Sequence, residues 1–194
     1  MLRIITGTAK GKKLKTLEGE ATRPPSERIT EAIFSSLQFD IEGRRVLDLF
    51  AGSGQMGLEA ISRGAASATF IDSSIDAMNI VKANIKSTGQ ADKTRTLVSD
   101  YRNYIRKAAR GGNAVFDLVF IDPPYSLGCA KDALVRLIQS NLLADGALCV
   151  LEVGEEPLDF SGEEYACLEV LKNTHYGKKS AVAILLYHKE RDAL

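Results

Sequence analysis

Four consecutive residues, Asp122-Pro123-Pro124-Tyr125, combine a carboxylate, two residues without a backbone N–H, and an aromatic ring. The prolines hold the chain extended, so carbonyl oxygens and the Asp122 carboxylate remain as acceptors. These acceptors suit a planar amino group on an aromatic ring. Asp122 and the Pro123 carbonyl would accept its two hydrogens, and Tyr125 would stack on the ring face. The motif predicts a site where an amino nitrogen acts as a nucleophile, and a strand-end turn without a ligand is the alternative.

A glycine-rich segment, Gly52-Ser53-Gly54-Gln55-Met56-Gly57, has the spacing G-x-G-x-x-G between a predicted strand and a predicted helix. Glycines let the backbone come close to a ligand. Asp72 follows at the distance at which an acid binds ribose hydroxyls in dinucleotide-binding proteins. The segment therefore predicts a nucleoside cofactor, but by itself it fits NAD as well as S-adenosylmethionine, or a tight turn with no ligand.

Acidic residues lie near the ends of four predicted strands, and they favour a cationic cofactor. The pyrophosphate of NAD would be repelled by Asp48, whereas the ammonium and sulfonium groups of S-adenosylmethionine would be attracted. Ligands of open parallel sheets bind at the edge where the strands end. We therefore predict S-adenosylmethionine as the cofactor and methyl transfer as the reaction. The four residues are Asp48, Asp72, Asp100 and Asp122.

The elements that must position these residues alternate, from Arg45 onward, between short apolar runs and helical patterns. This rhythm predicts an α/β fold with a parallel sheet and crossover helices. The predicted strands are 46–49, 68–71, 96–98, 116–121 and 147–151, with helices after the first, second and fourth. Residues 166–171 and 181–187 are predicted to form an antiparallel hairpin at one edge, which completes a mostly parallel, Rossmann-like sheet of seven strands.

The first 44 residues do not share this rhythm and are predicted to form a β-type basic extension and one helix, ahead of a catalytic domain over 45–194. We expect Ser26 to cap that helix. Basic side chains here are candidate contacts for nucleic-acid phosphates, although lysines that keep a sheet edge soluble would give the same composition. The candidates are Arg3, Lys10, Lys12, Lys13, Arg23 and Arg28, and Lys178 and Lys179 are possible additions.

Composition sets the remaining limits. The chain has 194 residues, 45% of them hydrophobic and 26% charged, and a net charge of zero, so nucleic-acid binding must rest on local basic clusters. We expect no secretion signal, membrane span or metal site. The three widely spaced cysteines are expected to be reduced thiols, which favours a cytoplasmic protein.

The segments 48–54 and 122–125 together resemble the amino methyltransferases of nucleic acids. Segments 3–7, 10–14 and 22–28, with Tyr176-Gly177, narrow the resemblance to the RsmD family, the bacterial 16S rRNA (guanine(966)-N(2))-methyltransferases. The resemblance implies the class I methyltransferase fold, with methyl transfer from S-adenosylmethionine to the exocyclic N2 of a guanine. It also implies that the substrate is 16S rRNA within an assembled or nearly assembled small subunit. A monomer is expected.

The resemblance also assigns roles to residues. Asp48, Gly52 and Gly54 would hold the methionine part of the cofactor, Asp72 the ribose, and Asp100 the adenine amine. Residues 122–125 would hold the target guanine. Their neighbours Phe50, Ser53, Ser73 and Tyr101 are further cofactor candidates. The chain departs from the family pattern at Thr6-Gly7, where Gly-Gly is more usual, and at Asp72, where Glu is more usual.

Three alternatives remain open. An N6-adenine methyltransferase of DNA or RNA would share the motif at 122–125, but such DNA enzymes usually carry a target-recognition domain, and no unassigned stretch is long enough for one. An NAD-dependent oxidoreductase would use the glycine loop but leaves Asp48 and the motif at 122–125 unexplained. An inactive scaffold would not need both motifs intact.

Overall fold

The computed structural model describes residues 2–17, 27–112, 115–124, 127–154, 158–177 and 180–189. Their contacts divide the chain into two compact units, Met1–Asp100 and Tyr101–Leu194. The predicted functional boundary between residues 44 and 45 stays a prediction.

Among the described residues, the first unit has three parallel strands, in the order β3-β2-β1, and three α-helices. The three strands predicted for this unit are present, with ends that differ by at most two residues. The prediction that acids end the strands is confirmed for the first two, because Asp48 and Asp72 are the last residues of β1 and β2. The elements are α1 (Glu27–Ser36), β1 (Arg45–Asp48), α2 (Gln55–Ser62), β2 (Ser67–Asp72), α3 (Ile75–Thr88) and β3 (Thr94–Val98).

Helix α3 shows how local sequence sets the element bounds. The Ser74 hydroxyl accepts the Ala77 N–H at 3.2 Å and caps the first turn. Gly89, at φ 73°, ends the helix in the left-handed conformation that glycine adopts without steric cost. Between these caps Met78, Val81 and Ile85 are buried at helical spacing, whereas Ile75 in the first turn is exposed.

The described part of the second unit has four strands in the order β4-β5-β7-β6, and two α-helices. Strands β4 and β5 are parallel, and β7 pairs antiparallel with both β5 and β6. The seven strands belong to one mixed sheet, which confirms the predicted fold class and the C-terminal hairpin. The elements are α4 (Tyr101–Gly111), β4 (Phe116–Ile121), α5 (Leu127–Gln139), β5 (Leu143–Val153), β6 (Leu168–Tyr176) and β7 (Ser180–Tyr187).

Helix α4 is not among the predicted elements. Its eleven residues include four arginines and lysines, and its buried residues are Tyr101, Tyr104 and Ile105. Tyr101, Tyr104 and Ile105 stand at helical spacing and Ala108 and Ala109 continue it, so the sequence carries a clear helical period here that the prediction missed.

Residues 2–17 have the predicted β-type character, but only as one isolated antiparallel bridge between Arg3 and Lys13. Backbone hydrogen bonds link Leu14 N to Leu2 O and Ile4 N to Lys12 O, each at 2.9 Å. Leu2, Ile4 and Leu14 are buried, so the extension (residues 2–17) packs as part of the first unit. The predicted cap Ser26 and the candidate Arg23 lie outside the described residues.

Within the described part of the chain, no helix has the length and apolar content needed to cross a membrane.

Candidate active site

The glycine loop, residues 52–54, joins β1 to α2 in a conformation that favours glycine. Gly52 and Gly54 have φ of 52° and 78°. A side chain at either position would be strained, whereas glycine adopts these angles freely. The Gly54 N–H donates to the Ala51 carbonyl at 2.6 Å, and Gly54 then caps α2. A Cβ placed on Gly52 would meet no atom within 4 Å, so open space lies beside this backbone.

Gly57 is needed for close packing, whereas Gly52 and Gly54 are needed for their backbone conformation. A Cβ on Gly57 would lie 2.4 Å from Cε1 of Phe70, which is fully buried in β2. The third glycine of the motif therefore allows α2 to pack closely on the sheet. Its N–H donates to Asp48 Oδ2 at 3.0 Å. The contact places a carboxylate at the positive end of the α2 dipole.

Asp48 is buried, with 4% of its surface exposed. Its bond to Gly57 gives it a structural role that the sequence did not indicate. Its predicted contact with the methionine part of a cofactor stays a prediction, as does that of the half-buried Phe50.

Asp72 joins the ends of two strands. Its Oδ2 accepts the Gly52 N–H at 2.9 Å, and its Oδ1 accepts the Ser74 N–H at 2.8 Å. The carboxylate therefore fixes the glycine loop after β1 against the turn after β2. The side chain is half-buried, and a carboxylate oxygen that accepts one hydrogen bond retains a second acceptor direction. This geometry suits a ligand with hydroxyl donors.

Exposed apolar side chains accompany Asp72. Ile75, at the start of α3, is 65% exposed, and Val98, paired in register with Asp72, is 47% exposed. Ser73 and Asp100 are also exposed, with Asp100 two residues beyond the end of β3. The edge of the first unit therefore combines a hydroxyl acceptor with apolar surface, which is the composition a nucleoside requires.

Tyr101, another cofactor candidate, is engaged in a polar cluster of the second unit. Its hydroxyl donates to Asp132 Oδ2 at 2.8 Å, and the Nε atoms of Arg102 and Arg136 donate to the same oxygen at 3.0 and 2.8 Å. Burial, with the hydrogen bond to Asp132, raises the pKa of Tyr101 above its usual range. The hydrogen bond from Arg136 lowers the pKa of Asp132 below its usual range. The cluster ties α4 to α5, and a cofactor contact of Tyr101 stays a prediction.

The proline motif, residues 122–125, follows β4 as predicted. Five of the six β4 residues are buried, Asp122 is half-buried, Pro123 is buried and Pro124 is exposed. Tyr125 lies outside the described residues. The motif is followed by α5, whose residue Asp132 belongs to the cluster described above. Cys149 in β5 is a different case, because burial raises the pKa of its thiol to about 12. The thiol therefore stays protonated and is a poor nucleophile.

The basic candidates of the first unit are on its surface. Arg3, Lys10, Lys12, Lys13 and Arg28 are all exposed. A cleft of about 290 Å³ is lined by Arg3, Gly11, Lys13 and Glu27. Arg3 Nε lies 3.7 Å from Glu27 Oε1, a long, solvent-exposed ion pair that contributes little stability.

Three buried polar residues that the sequence reasoning missed hold the basic extension in place. Glu59 and Ser62 on α2, and Asn84 on α3, make hydrogen bonds to its backbone. The available signal was weak, since a polar residue inside a helix usually lies on its solvent face. Every residue of α2 is buried, and the side chains of Glu59 and Ser62 find their hydrogen-bond partners in the extension.

Together the fold and the glycine loop define a class, the Rossmann-like methyltransferase fold. The structure matches that of SMU.776, a candidate methyltransferase complexed with S-adenosylhomocysteine, with a TM-score of 0.65 at 17% identity, over 81% of this chain and 49% of that one. At this identity the match concerns the fold alone.

The family follows from the sequence. The sequence model of a protein family described as conserved hypothetical protein 95 matches residues 2–185 of this chain. The chain therefore belongs to this family, which is the RsmD family. This confirms the resemblance noted in the sequence.

Two further relatives match over most of their length. Ribosomal RNA small subunit methyltransferase D of Haemophilus influenzae is 30% identical over 169 residues, 87% of this chain and 86% of the relative. The structure of the candidate methyltransferase yhhF from Escherichia coli superposes with a TM-score of 0.83 at 29% identity, over 97% of this chain and 99% of that one.

Proposed function

We propose that this chain transfers a methyl group from S-adenosylmethionine to the exocyclic N2 of a guanine in 16S rRNA. The observation that carries the proposal is the buried carboxylate of Asp48 at the start of α2, which would repel the pyrophosphate of NAD but attract the ammonium and sulfonium groups of S-adenosylmethionine. Membership of the RsmD family supports it, as do relatives named as rRNA methyltransferases and a structural neighbour complexed with S-adenosylhomocysteine.

The residues of the first unit fit the cofactor. Asp72 would accept the ribose hydroxyls with its remaining acceptor directions, and Ile75 and Val98 would cover the adenine, whose amine Asp100 would accept. The open space beside Gly52 leaves room for the methionine part. Asp48 favours a cationic ligand over a pyrophosphate. Phe50, Ser53, Gly54, Ser73 and Tyr101 complete the proposed set of cofactor residues.

The proline motif would hold the acceptor base. When bound, S-adenosylmethionine supplies an electrophilic methyl carbon on its sulfonium. Asp122 and the Pro123 carbonyl would accept the two N2 hydrogens of guanine, which localises the nitrogen lone pair for attack. Asp122 or water then takes the proton that the methylated nitrogen releases. Tyr125 would stack on the base, and Pro124 keeps the segment extended. Positioning supplies most of the rate enhancement in this scheme.

The basic extension, α1 and the segment between them would bind rRNA phosphates through Arg3, Lys10, Lys12, Lys13, Arg23 and Arg28. We propose accordingly that residues 1–44 bind RNA and that residues 45–194 carry out catalysis. The substrate would be an assembled or nearly assembled small subunit in the cytoplasm, and the enzyme would act as a monomer.

The test is mass-spectrometric mapping of methylated nucleotides in 16S rRNA from cells that lack the gene. We expect one N2-methylguanine to disappear and to return on expression of the wild-type chain but not of Asp122→Ala. Unchanged guanine methylation in the deletion strain would overturn the assignment. Loss of an N6-methyladenine instead would favour the adenine methyltransferase.

A further inference from the structure

The extension is fastened to α2, the helix that starts at the glycine loop. Both carboxylate oxygens of Glu59, which is fully buried, accept extension N–H groups, from Ile5 at 2.6 Å and from Thr6 at 3.0 Å. The Ser62 hydroxyl donates to Thr6 O at 2.6 Å and accepts the Ala9 N–H at 2.9 Å. These contacts hold the extension but do not touch the glycine loop.

Asn84 on α3 joins the extension to the loop directly. Its side-chain amide nitrogen donates to Lys15 O at 3.0 Å and to Ser53 O at 2.9 Å, and its Oδ1 accepts the Lys15 N–H at 2.8 Å. Asn84 is 1% exposed. Both amide hydrogens and the carbonyl oxygen are therefore committed to backbone atoms of two segments.

We propose that Asn84 is a positioning residue through which RNA bound to the basic extension orders the glycine loop for the cofactor. The inference rests on the proposed function. A planar amide bonded to Lys15 and Ser53 ties the two backbones together, because either one can shift only if a buried hydrogen bond is stretched. Lys15 follows Lys12 and Lys13, whose exposed side chains are candidate phosphate contacts.

The consequence is a positive coupling between the two ligands. RNA that fixes the extension also fixes Ser53, so the cofactor binds a loop that has already lost its conformational freedom. Thermodynamic linkage requires the cofactor to strengthen RNA binding by the same factor.

Equilibrium dialysis of radiolabelled S-adenosylhomocysteine with the full chain tests this coupling, with and without saturating undermethylated small subunits. For the wild type we expect subunits to lower the dissociation constant about fivefold or more. In Asn84→Ala that factor should fall below about twofold. Asn84→Asp should behave in the same way, because it keeps the shape and the Lys15 N–H bond but loses both donated bonds. Asn84→Asp therefore tests the coupling in place of Asn84→Ala if the alanine variant fails to fold.

Ser62→Ala is the matched control, since it loosens the extension without touching Ser53. It should weaken subunit binding but keep the fivefold factor, which a general loss of structure would not do. A wild type that binds both ligands without coupling, or an Asn84 variant that retains full coupling, overturns this inference alone. A wild type that binds neither ligand overturns the proposed function and this inference with it.

Discussion

The glycine loop of the first unit and the proline motif of the second hold their backbones in different ways. The loop has two residues at positive φ, and side chains from neighbouring elements fix it through hydrogen bonds. The prolines restrict φ through their own rings. The conformation of the glycine loop is therefore held by residues distant in sequence, whereas the conformation of the proline motif is held by its own covalent rings. The side chains that fix the loop and the start of α2 are Asp48, Asp72 and Asn84.

This difference predicts how the two regions respond to substitution. Changes around the glycine loop should alter cofactor affinity and stability together, because the same hydrogen bonds serve both. Changes in the proline motif should alter the chemical step and leave cofactor affinity near its wild-type value.

The largest effect is expected for Asp122→Ala. Removal of the carboxylate that orients the amino hydrogens should slow methyl transfer at least about 100-fold. Asp122→Asn keeps one carbonyl acceptor and should retain more activity. Single-turnover methylation of undermethylated subunits measures the rate, and dialysis with S-adenosylhomocysteine checks that binding persists. A fully active alanine variant would contradict the proposed role.

Asp72→Ala should have the next largest effect, and on binding rather than on chemistry. The ribose would lose a charged acceptor, worth about 1.5 to 3 kcal/mol, or roughly tenfold to a hundredfold in cofactor affinity. The N–H groups of Gly52 and Ser74 would also lose their acceptor. Calorimetry with S-adenosylhomocysteine measures the loss. Asp92→Ala, which removes an exposed acid, should bind normally, and equal losses in both variants would point to net charge instead.

Gly57→Ala should destabilise the first unit by about 1 to 3 kcal/mol, because the added methyl group overlaps the Phe70 ring. Phe70→Leu should relieve part of the overlap in the double variant. Gly128→Ala is the control, since Gly128 is an exposed helical glycine with no atom within 4 Å of the added Cβ, and it should be neutral or slightly stabilising. Urea unfolding distinguishes them, and equal stability of the two single variants would contradict the packing role of Gly57.

The smallest effect concerns the basic surface. Neutralisation of Lys10, Lys12 and Lys13 should weaken subunit binding and flatten its dependence on salt, with a logarithmic slope reduced by up to about 0.9 for each lost phosphate contact. Cofactor affinity measured without RNA should not change, because these side chains are exposed and only the backbone of Lys15 reaches Asn84. An unaltered slope would mean that these lysines do not contact phosphates and instead keep the surface soluble.

Much of the fold follows from the sequence, because β4 and β5 are apolar runs and α3 has an apolar face between two caps. Helix α4 was missed although Tyr101, Tyr104 and Ile105 have the spacing of an amphipathic helix, so the sequence did contain the signal for it. The pairing of β7 between β5 and β6 was predicted only in outline, as a hairpin at an edge.

The sequence by itself determined which residue types follow the strands and in what order. It also indicated where they lie, because parallel strands place their carboxyl ends at one edge of a sheet. Only the tertiary structure decided which atoms those residues contact. Asp48 bonds to the start of α2, Tyr101 to Asp132, and Asn84 to residues 69 and 31 positions earlier in the chain. Such partners are far apart in sequence, and a buried side chain finds them only when packing brings backbone groups within hydrogen-bonding distance.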